Sequence, residues 1–492
     1  MAETNLQNEM QRIDAVIAKG PFQDTWESLS AYQVPAWYKA AKFGIFIHWG
    51  LFSVPAYANE WYTRSMYIQG TREFEHHVKT YGPQKDFGLK DFIPMLRAEK
   101  FDPDEWTTLF RESGAQYVVP VAEHHDGFQM YKSNISHWNA YEMGPHRDIL
   151  GELKNSIEQQ GLSFGASSHR IEHWWFLGNG KDFESDIKEP LQRGDFYWPS
   201  MEEPKDQFDI YSEPAPSEEF MQDWLVRTCE IVDRYHPKVL YFDWWIQHSA
   251  LRPYLRKAAA YYYDRMNELG EEGVINYKHD AYLFGTAVPD VERGQFAEVK
   301  PYTWQTDTSI GFDSWGYTTD NRYKKGEDIL CDLVDIVSKN GNMLLNIGPK
   351  ADGTITPQEK EVLQVIGKWL KINGEAIYRS GIYKVCAEGP TKVEEGFFTD
   401  KKVKVFTSQD FRFTVQGGYI YAIALKESED GKYLIRTFSS ASEKGEGFTG
   451  IIQNVEVLGA ETKAIWEQTK SGLKVSTEYR SGAPIVFRLT LA

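Results

Sequence analysis

The chain has 492 residues, with 54 basic against 71 acidic side chains and a formal net charge of -17 at pH 7. This balance argues against nucleic-acid binding, which needs a basic surface, and against docking on anionic lipid. The hydrophobic fraction of 41% is typical of a folded protein, and the length predicts two or three domains.

The N-terminus, MAETNLQNEM, is polar and lacks the basic and apolar stretches of a secretory signal. No later apolar run reaches the roughly 20 residues that cross a bilayer. The three cysteines are widely spaced and form neither a CxxC motif nor a disulfide framework. We therefore expect a cytoplasmic enzyme with no membrane segment. A signal removed ahead of this chain would leave the same sequence.

Short apolar runs alternate with helical patterns through the first three quarters of the chain. The runs are Gly44–Gly50, Tyr117–Val121, Ser163–Ala166, Val239–Phe242, Gly273–Tyr277 and Met343–Ile347. Continuous apolar strands separated by helices predict a parallel sheet. Polar residues cluster directly after these strands, as at the active-site end of a barrel, and no GxGxxG or Walker sequence is present. The sequence predicts an α/β fold: a (β/α)8-like TIM barrel over residues 1–379 with an N-terminal helical lead-in.

Two of the intervening helices have clear signals. Apolar residues between Met221 and Tyr235 recur at helical spacing and form one packing stripe. A second helix starts at Thr356-Pro357-Gln358-Glu359, which has the pattern of a capping box with Pro at the first helical position.

Two regions do not fit a plain barrel. Residues 176–219 are rich in charge, Pro and Trp without periodicity, and are too long for an ordinary connection. This insertion predicts either a lid over the site or a contact between subunits of a homo-oligomer. Residues 380–492 carry short alternating runs separated by turn signals, which predict a C-terminal all-β sandwich domain. The runs are Val403–Phe406, Tyr419–Ala424, Tyr433–Phe438, Val455–Val457, Leu473–Ser476 and Ile485–Leu491.

Asp243 is the strongest candidate for a catalytic residue. It comes directly after the buried Val239–Phe242 run and before Trp244 and Trp245, where an unpaired carboxylate is costly. The pattern alone leaves two interpretations open. Asp243 either takes part in chemistry, or it caps the next helix or pairs with a Lys or Arg.

Three histidines also follow predicted strands, namely His48, His124 and His125, and Glu60 lies nearby in the sequence. One interpretation is a zinc site. However, adjacent histidines on an extended segment point in opposite directions, and HHDG lacks the HExxH spacing. Hydrogen bonding to the hydroxyls of a neutral polyol explains the same residues, and a structural role is the plain alternative for at least one histidine. We expect no metal and no other cofactor.

Glu292 is the candidate for a second catalytic carboxylate. It lies in a turn over residues 289–294, where an ion-paired loop Glu is the plain alternative. Glu298 is a competing candidate close by. No GxSxG motif indicates a serine hydrolase, and no cysteine lies in a recognisable Cys/His setting.

A series of blocks between residues 30 and 380 carries the most specific pattern in the chain. The blocks are Lys42–Trp61, Ala122–Phe128, Arg147–Ile149, Val239–Asp243, Val337–Pro349, Ala351–Ile355 and Asn373–Tyr378. In this order they resemble the α-L-fucosidases of glycoside hydrolase family 29. The remaining tail is similar to that family's C-terminal β-sandwich by position only.

The resemblance implies a role for each matching residue. Asp243 matches the nucleophile, and Glu292 lies where many members carry the acid/base. Lys278 follows the fifth strand, where relatives often have a basic residue, and Trp315 matches a late aromatic at the sugar. The residues that match those holding fucose are His48, Glu60, Trp61, His124 and His125.

The implied activity is retaining exo-hydrolysis of terminal α-L-fucosyl residues from fucosylated glycans, through a covalent fucosyl-enzyme and without a metal. The alternatives are a related exo-glycosidase such as an α-L-galactosidase, a non-catalytic fucose-binding protein and a metallohydrolase. The chain departs from the family pattern twice. Trp244 stands where a small residue usually follows the nucleophile, and Ser167–Arg170 stands where many relatives carry a Tyr. Both departures concern the shape of the site around the nucleophile.

Overall fold

The computed structural model describes residues 5–401, 404–441 and 447–492. Eight strands form its first sheet: β1 (Phe43–Ile47), β2 (Tyr117–Glu123), β3 (Ser163–Ser168), β4 (Val239–Phe242), β5 (Val274–Lys278), β6 (Val288–Asp290), β7 (Trp304–Ser309) and β8 (Gly341–Ile347). Each strand pairs in parallel with the next along the chain, and β8 pairs with β1 to close a barrel. The predicted barrel is confirmed.

The α-helices lie before, between and after these strands along the chain. They are α1 (Leu6–Ile17), α2 (Trp26–Leu29), α3 (Ala36–Ala41), α4 (Tyr62–Ser65), α5 (Arg72–Tyr81), α6 (Pro103–Glu112), α7 (Ile149–Gln159), α8 (His173–Phe176), α9 (Glu218–Tyr235), α10 (Arg252–Glu268), α11 (Gly326–Ser338) and α12 (Pro357–Asn373). The capping box predicted for α12 is present, because Thr356 and Glu359 satisfy each other's backbone N–H groups. Within the described ranges, no helix is long and apolar enough to span a membrane.

Two barrel strands, β6 and β7, carry no clear signal in the sequence. β6 has only three residues and pairs with β7 through a single residue pair, Asp290 with Gln305. β7 reads WQTDTS, and its polar side chains are buried among other polar groups of the barrel. Gln305, for example, accepts hydrogen bonds from Tyr38 and Tyr117 at 2.7 and 2.9 Å. A strand that places polar side chains inside the barrel lacks the apolar run that identifies the others.

The C-terminal region is an antiparallel β-sandwich. Its strands are β9 (Gly381–Glu388), β10 (Phe411–Gln416), β11 (Tyr419–Ala424), β12 (Lys432–Ile435), β13 (Ile452–Val457), β14 (Ile465–Thr469), β15 (Gly472–Ser476) and β16 (Ile485–Leu491). One sheet has the order β13-β16-β11-β10-β9 and the other β12-β15-β14. A separate apolar core lies between them. The predicted fold class, a barrel followed by a sandwich, is confirmed.

The strand predicted over Val403–Phe406 is wrong for Lys404–Phe406, which lie in no strand. Val403 lies outside the described residues. Lys404 pairs with Asp332 of α11 at 2.8 Å, so this stretch packs on a barrel helix and does not join a sheet.

A segment of the C-terminal region also contacts the barrel mouth. The backbone of Gly396 pairs with that of Gln295, and Asp400 forms an ion pair with Arg293 at 3.1 Å. This segment lies beyond the domain boundary expected between residues 379 and 380, and yet it helps to build the mouth of the barrel. The boundary itself stays a prediction.

Candidate active site

A cavity of about 240 Å³ lies at the carboxyl ends of the barrel strands. Its lining includes every residue that the sequence analysis assigned to the site: His48, Glu60, Trp61, His124, His125, Asp243, Lys278, Glu292 and Trp315. Four further side chains line it: His169, Trp244, Asp307 and Phe398. The structure thus brings the predicted residues together, while their individual roles remain predictions.

The convergence follows from the parallel barrel. The carboxyl ends of all strands meet at one rim, so the first residues after different strands become neighbours. His48 follows β1, His124 follows β2, His169 follows β3 and Asp243 follows β4 directly. Lys278 is the last residue of β5.

The ammonium group of Lys278 is the electrostatic centre of the cavity. Lys278 is 1% exposed, and its Nζ lies 3.0 Å from Asp243 Oδ1, 2.8 Å from Glu292 Oε2 and 3.3 Å from Asp307 Oδ2. Burial lowers the pKa of the ammonium, but the three carboxylates outweigh it and hold the pKa well above its usual range. One cation therefore serves three carboxyl groups.

Asp243 is the ionised member of this group. Its second oxygen, Oδ2, lies 3.1 Å from His169 Nδ1 and 3.4 Å from His125 Nε2. Burial raises the pKa of the carboxyl group, but Lys278, His169 and His125 outweigh it and hold the pKa well below its usual range. Asp243 is thus a buried carboxylate at neutral pH. Of the two plain alternatives for Asp243, the helix cap finds no support among its described contacts. The ion pair with a lysine is present, because Lys278 Nζ lies 3.0 Å from Oδ1, and it lies inside the cavity.

The pKa of Glu292 is shifted in the opposite direction to that of Asp243. Burial raises the pKa of its carboxyl group to about 8; Lys278 opposes this shift, and the negative charges of Asp307 and Asp243 add to it. Glu292 is therefore mostly protonated at pH 7, beside an ionised Asp243. Its competitor Glu298 is exposed and does not line the cavity.

His125 carries a positive charge into the cavity. Its Nδ1 lies 2.9 Å from Glu172 Oε2 and 3.0 Å from the His169 carbonyl oxygen. Burial lowers the pKa of the imidazole, but Glu172 and Asp243 raise it, and the result is a pKa of about 9. His125 is therefore a second cation facing Asp243.

His48 and His124 are neutral, because burial holds the pKa of each imidazole well below its usual range. His48 Nδ1 lies 2.7 Å from Asn346 Oδ1, which can only accept, so Nδ1 carries the proton and Nε2 is left as an acceptor. His124 Nδ1 is buried and has no hydrogen-bond partner among the residues that the structure describes. A ligand with hydroxyl groups can satisfy both atoms.

Aromatic rings form the remaining wall. The Trp315 ring stacks on His48 with 5.1 Å between centroids, and the Trp61 ring lies 5.6 Å from that of His125. Glu60 Oε2 accepts hydrogen bonds from Ser314 Oγ at 3.0 Å and from the Trp315 N–H at 2.9 Å. Glu60 therefore fixes the position of Trp315, in addition to lining the cavity.

Within the described part of the chain, two groups of side chains place donor atoms close enough to hold a metal ion. They are His48, His124 and His169, and His125, His169 and Asp243, with the atoms of each group within 4.8 Å of one another. His124 and His125 belong to different groups, as expected for adjacent residues of an extended segment. The same atoms can instead bind hydroxyl groups, and the expectation that the chemistry needs no metal stays a prediction.

Of the four lining residues that were not assigned from the sequence, His169 gave a usable signal. It follows β3 as His48 and His124 follow their strands, and it belongs to the Ser167–Arg170 run that departs from the family pattern. Asp307 lies inside the polar strand β7, which the apolar pattern misses. Phe398 comes from the C-terminal region, and no local pattern connects it with the barrel.

The chain is similar in sequence and fold to several known proteins. Residues 9–375 match the family model described as Alpha-L-fucosidase. The tissue α-L-fucosidase of Bos taurus is 30% identical over 455 residues, covering 91% of this chain and 85% of that protein. The tissue α-L-fucosidase of Homo sapiens is 31% identical over 413 residues, covering 82% and 78%. Among solved structures, the Thermotoga maritima α-fucosidase has a TM-score of 0.73 at 29% identity, covering 95% of this chain and 100% of that one. The same enzyme in complex with fucose has a TM-score of 0.72.

Proposed function

The chain belongs to the α-L-fucosidase family of glycoside hydrolases, and from this premise we propose that it releases terminal α-L-fucosyl residues with retention of configuration. Asp243 is the nucleophile and Glu292 the acid/base in this proposal. The substrates are fucosylated oligosaccharides or glycoconjugates. The fucose complex of the Thermotoga maritima enzyme, which has a matching fold, supports a fucosyl ligand.

The opposite pKa shifts of the two carboxyl groups carry the proposal. Asp243 is held ionised by Lys278, His169 and His125, while burial keeps Glu292 protonated to about pH 8. Two carboxyl groups whose environments separate their pKa values in this way suit a nucleophile and a general acid. A pair that only stabilised the fold through Lys278 would be expected to have both members ionised.

The spacing of the two carboxyl groups supports retention over inversion. Asp243 Oδ1 and Glu292 Oε2 both lie within 3.0 Å of one nitrogen, so these two oxygens are no further apart than twice that distance. Retaining glycosidases have carboxyl groups about 5–5.5 Å apart, whereas inverting enzymes leave about 6.5–9.5 Å for a water molecule. No such gap exists between this pair of oxygens.

In the first step, an Asp243 oxygen bonds to the anomeric carbon while the bond from that carbon to the leaving oxygen breaks. Glu292 gives its proton to the leaving oxygen. In the second step, Glu292 takes a proton from water, the water oxygen bonds to the anomeric carbon, and the bond to Asp243 breaks. Both carboxyl groups return to their starting protonation states.

The rest of the cavity suits a neutral deoxysugar. The neutral imidazole of His48 offers its Nε2 as an acceptor to a hydroxyl group, and the buried Nδ1 of His124 can be a donor or an acceptor, depending on the tautomer. The rings of Trp61 and Trp315 offer apolar surface to the sugar ring and its methyl group. A sugar that fills the cavity would displace water from it, which would strengthen these polar contacts.

The test is the configuration of the first product. Proton NMR during hydrolysis of an aryl α-L-fucoside is expected to show α-L-fucose before mutarotation produces the β anomer. Initial release of β-L-fucose would exclude double displacement. Azide then separates the two roles: with Glu292→Ala it is expected to give the α-fucosyl azide, and with Asp243→Ala the β-fucosyl azide.

A further inference from the structure

The mouth of the cavity carries a row of rings that the two chemical steps do not use. Phe208 lies 5.9 Å from Trp244 between centroids, Trp244 lies 6.3 Å from His279, and His279 stacks on Phe397 at 4.8 Å. Phe398 follows, and it lines the cavity together with Trp244. These five side chains are called the aromatic rim below.

The phenylalanines of the rim are unusually exposed. Phe208 is 75% exposed, Phe398 52% and Phe397 38%. Side chains of this size are mostly buried, and a contiguous exposed apolar patch next to a binding site indicates a further contact with a ligand. The rim is continuous with the cavity, so the same ligand can contact both.

The cavity itself is too small for more than one sugar unit. Its volume of about 240 Å³ lies below the 300–1,000 Å³ that is typical of pockets enclosing drug-sized ligands. If the cavity encloses the fucosyl unit, as proposed above, the remainder of the substrate lies outside it.

The position of the acid fixes where that remainder goes. Glu292 must reach the oxygen that joins the fucosyl unit to the leaving group. The Phe398 N–H donates a hydrogen bond of 2.9 Å to the Glu292 carbonyl oxygen, and Trp244 follows Asp243 directly. The rim therefore borders both carboxyl groups, and a leaving group that departs past Glu292 meets it first.

We propose that the aromatic rim is the binding site for the leaving group and that it takes a neutral pyranose, such as a hexose or an N-acetylhexosamine. This inference rests on the proposed function. Ring faces without hydrogen-bonding groups suit the apolar face of a pyranose, whose hydroxyl groups remain free to contact water.

The charges around the rim favour a neutral sugar over an acidic one. Burial, followed by the charge of Lys278, lowers the pKa of His279, so the rim carries no positive charge at neutral pH. Asp206 lies beside the rim, where its Oδ1 accepts a hydrogen bond from the Phe208 N–H at 2.9 Å, whereas the charge of Asp280, which follows His279, is offset by the neighbouring Arg252. A sulfated or carboxylated leaving group would meet the charge of Asp206 without a partner in the rim.

The C-terminal region contributes two of the five side chains, Phe397 and Phe398. The ion pair between Arg293 and Asp400 and the backbone pairing of Gly396 with Gln295 hold them against the barrel. The backbone of Phe398 has φ of 57°, a left-handed conformation that bulky residues rarely adopt, so the surrounding contacts hold the backbone in this conformation. The sandwich thereby takes part in selecting the leaving group.

The test compares two substrates that share the fucosyl unit. α-L-Fucosyl fluoride has no ring in its leaving group, whereas a neutral α-L-fucosyl disaccharide has one. Phe208 is well exposed and does not line the cavity, so Phe208→Ala is expected to fold normally. We expect it to lower kcat/KM for the disaccharide by about 3- to 10-fold, as loss of one ring contact would. Hydrolysis of the fluoride should stay unchanged.

Ile465→Ala is the matched control, since Ile465 is 79% exposed on β14 of the sandwich. It should affect neither substrate. Equal rates of Phe208→Ala and wild type on the disaccharide would overturn the rim proposal, as would equal losses on both substrates. A sulfated disaccharide that the wild type cleaves as fast as the neutral one would overturn the stated preference. Failure of the wild type to cleave the fluoride would instead contradict the proposed function.

Discussion

Among the buried charge clusters of the described residues, two differ in the balance of their charges. The lysine cluster of the cavity consists of Asp243, Glu292, Asp307 and Lys278, and has three carboxyl groups around one ammonium. The arginine cluster consists of Glu123, Asp223, Arg170, Arg193 and Arg227, and has three guanidinium groups around two carboxyl groups. None of the members of the arginine cluster lines the cavity.

The pKa shifts follow this balance. In the arginine cluster, burial raises the pKa of Asp223, but Arg227, Arg170 and Arg193 outweigh it and lower the pKa to about 2. In the lysine cluster, Asp243 takes the ionised form and Glu292 keeps its proton. We interpret the arginine cluster, in which cations exceed the carboxylates, as stabilising the fold, whereas the excess of carboxyl groups in the lysine cluster leaves Glu292 available as an acid.

The largest effect is expected for Asp243→Asn, which tests whether the ionised carboxyl group of the lysine cluster is the nucleophile. The amide keeps the shape of the side chain but cannot act as a nucleophile, so kcat/KM for an aryl α-L-fucoside should fall by about 10⁴-fold or more. Steady-state kinetics measure this loss, and circular dichroism checks that the fold is intact. Near-normal activity in the folded variant would remove Asp243 from the nucleophile role.

Glu292→Gln sharpens the distinction between the two carboxyl groups of the lysine cluster. Loss of a general acid lowers rates by about 10²- to 10⁴-fold. The loss should be large for a poor leaving group such as a sugar, and much smaller for a 2,4-dinitrophenyl leaving group, which needs no proton. Equal losses for both substrates would show that Glu292 does not act as the acid, and Glu298→Gln would then be the next variant to measure.

Asp223→Ala tests the arginine cluster. Removing one partner of a buried ion pair costs about 3–5 kcal/mol, because the remaining charges stay buried without compensation. Urea denaturation should show this loss, while kcat/KM of the folded protein changes little. The matched control is Asp313→Ala, which removes an exposed ion pair with Arg322 and should cost no more than about 1 kcal/mol.

The same carboxyl group predicts how stability depends on pH. Because folding lowers the pKa of Asp223 to about 2, its contribution is present above the unfolded pKa of about 3.9 and is lost as pH falls through 2. The wild type and Asp223→Ala should therefore differ less in stability as the pH approaches 2. A difference that stays constant across this range would contradict the assignment.

The pH dependence of activity gives the smallest effect, about tenfold per pH unit beyond the pKa. Glu292 is active in its protonated form, so kcat/KM should fall as the pH rises through about 8. The fall of kcat/KM on the acidic side should occur only at low pH, because the pKa of Asp243 lies well below its usual range. In Glu292→Gln the basic limb should disappear. If kcat/KM of the variant still falls at high pH, a group other than Glu292 causes that fall.

Residues next to apolar strands could be predicted from the sequence, and residues placed by distant chain segments could not. Asp243, His48 and His124 each follow a recognisable apolar run, and parallel strands bring such positions together. Asp307 belongs to a strand whose polar side chains hide it from the same pattern. Phe398 reaches the cavity through pairing between regions separated along the chain, and no local signal encodes that contact.

The protonation states of the two catalytic candidates could not be predicted from the sequence either. Glu292 and Asp243 are both carboxyl groups in loops after strands, and only the burial and neighbours of each decide which one ionises. Lys278 could be placed near the site by resemblance, but its contact with three carboxyl groups at once became visible only in the structure.

The most direct test of the account is to trap the covalent intermediate. A 2-deoxy-2-fluoro-α-L-fucosyl fluoride should form the intermediate faster than water removes it, because the fluorine destabilises the oxocarbenium-like transition state. Mass spectrometry of the inactivated protein should show one added fluorofucosyl group, and peptide mapping should place it on Asp243. A label on any other residue, or turnover without a trapped adduct, would contradict the account.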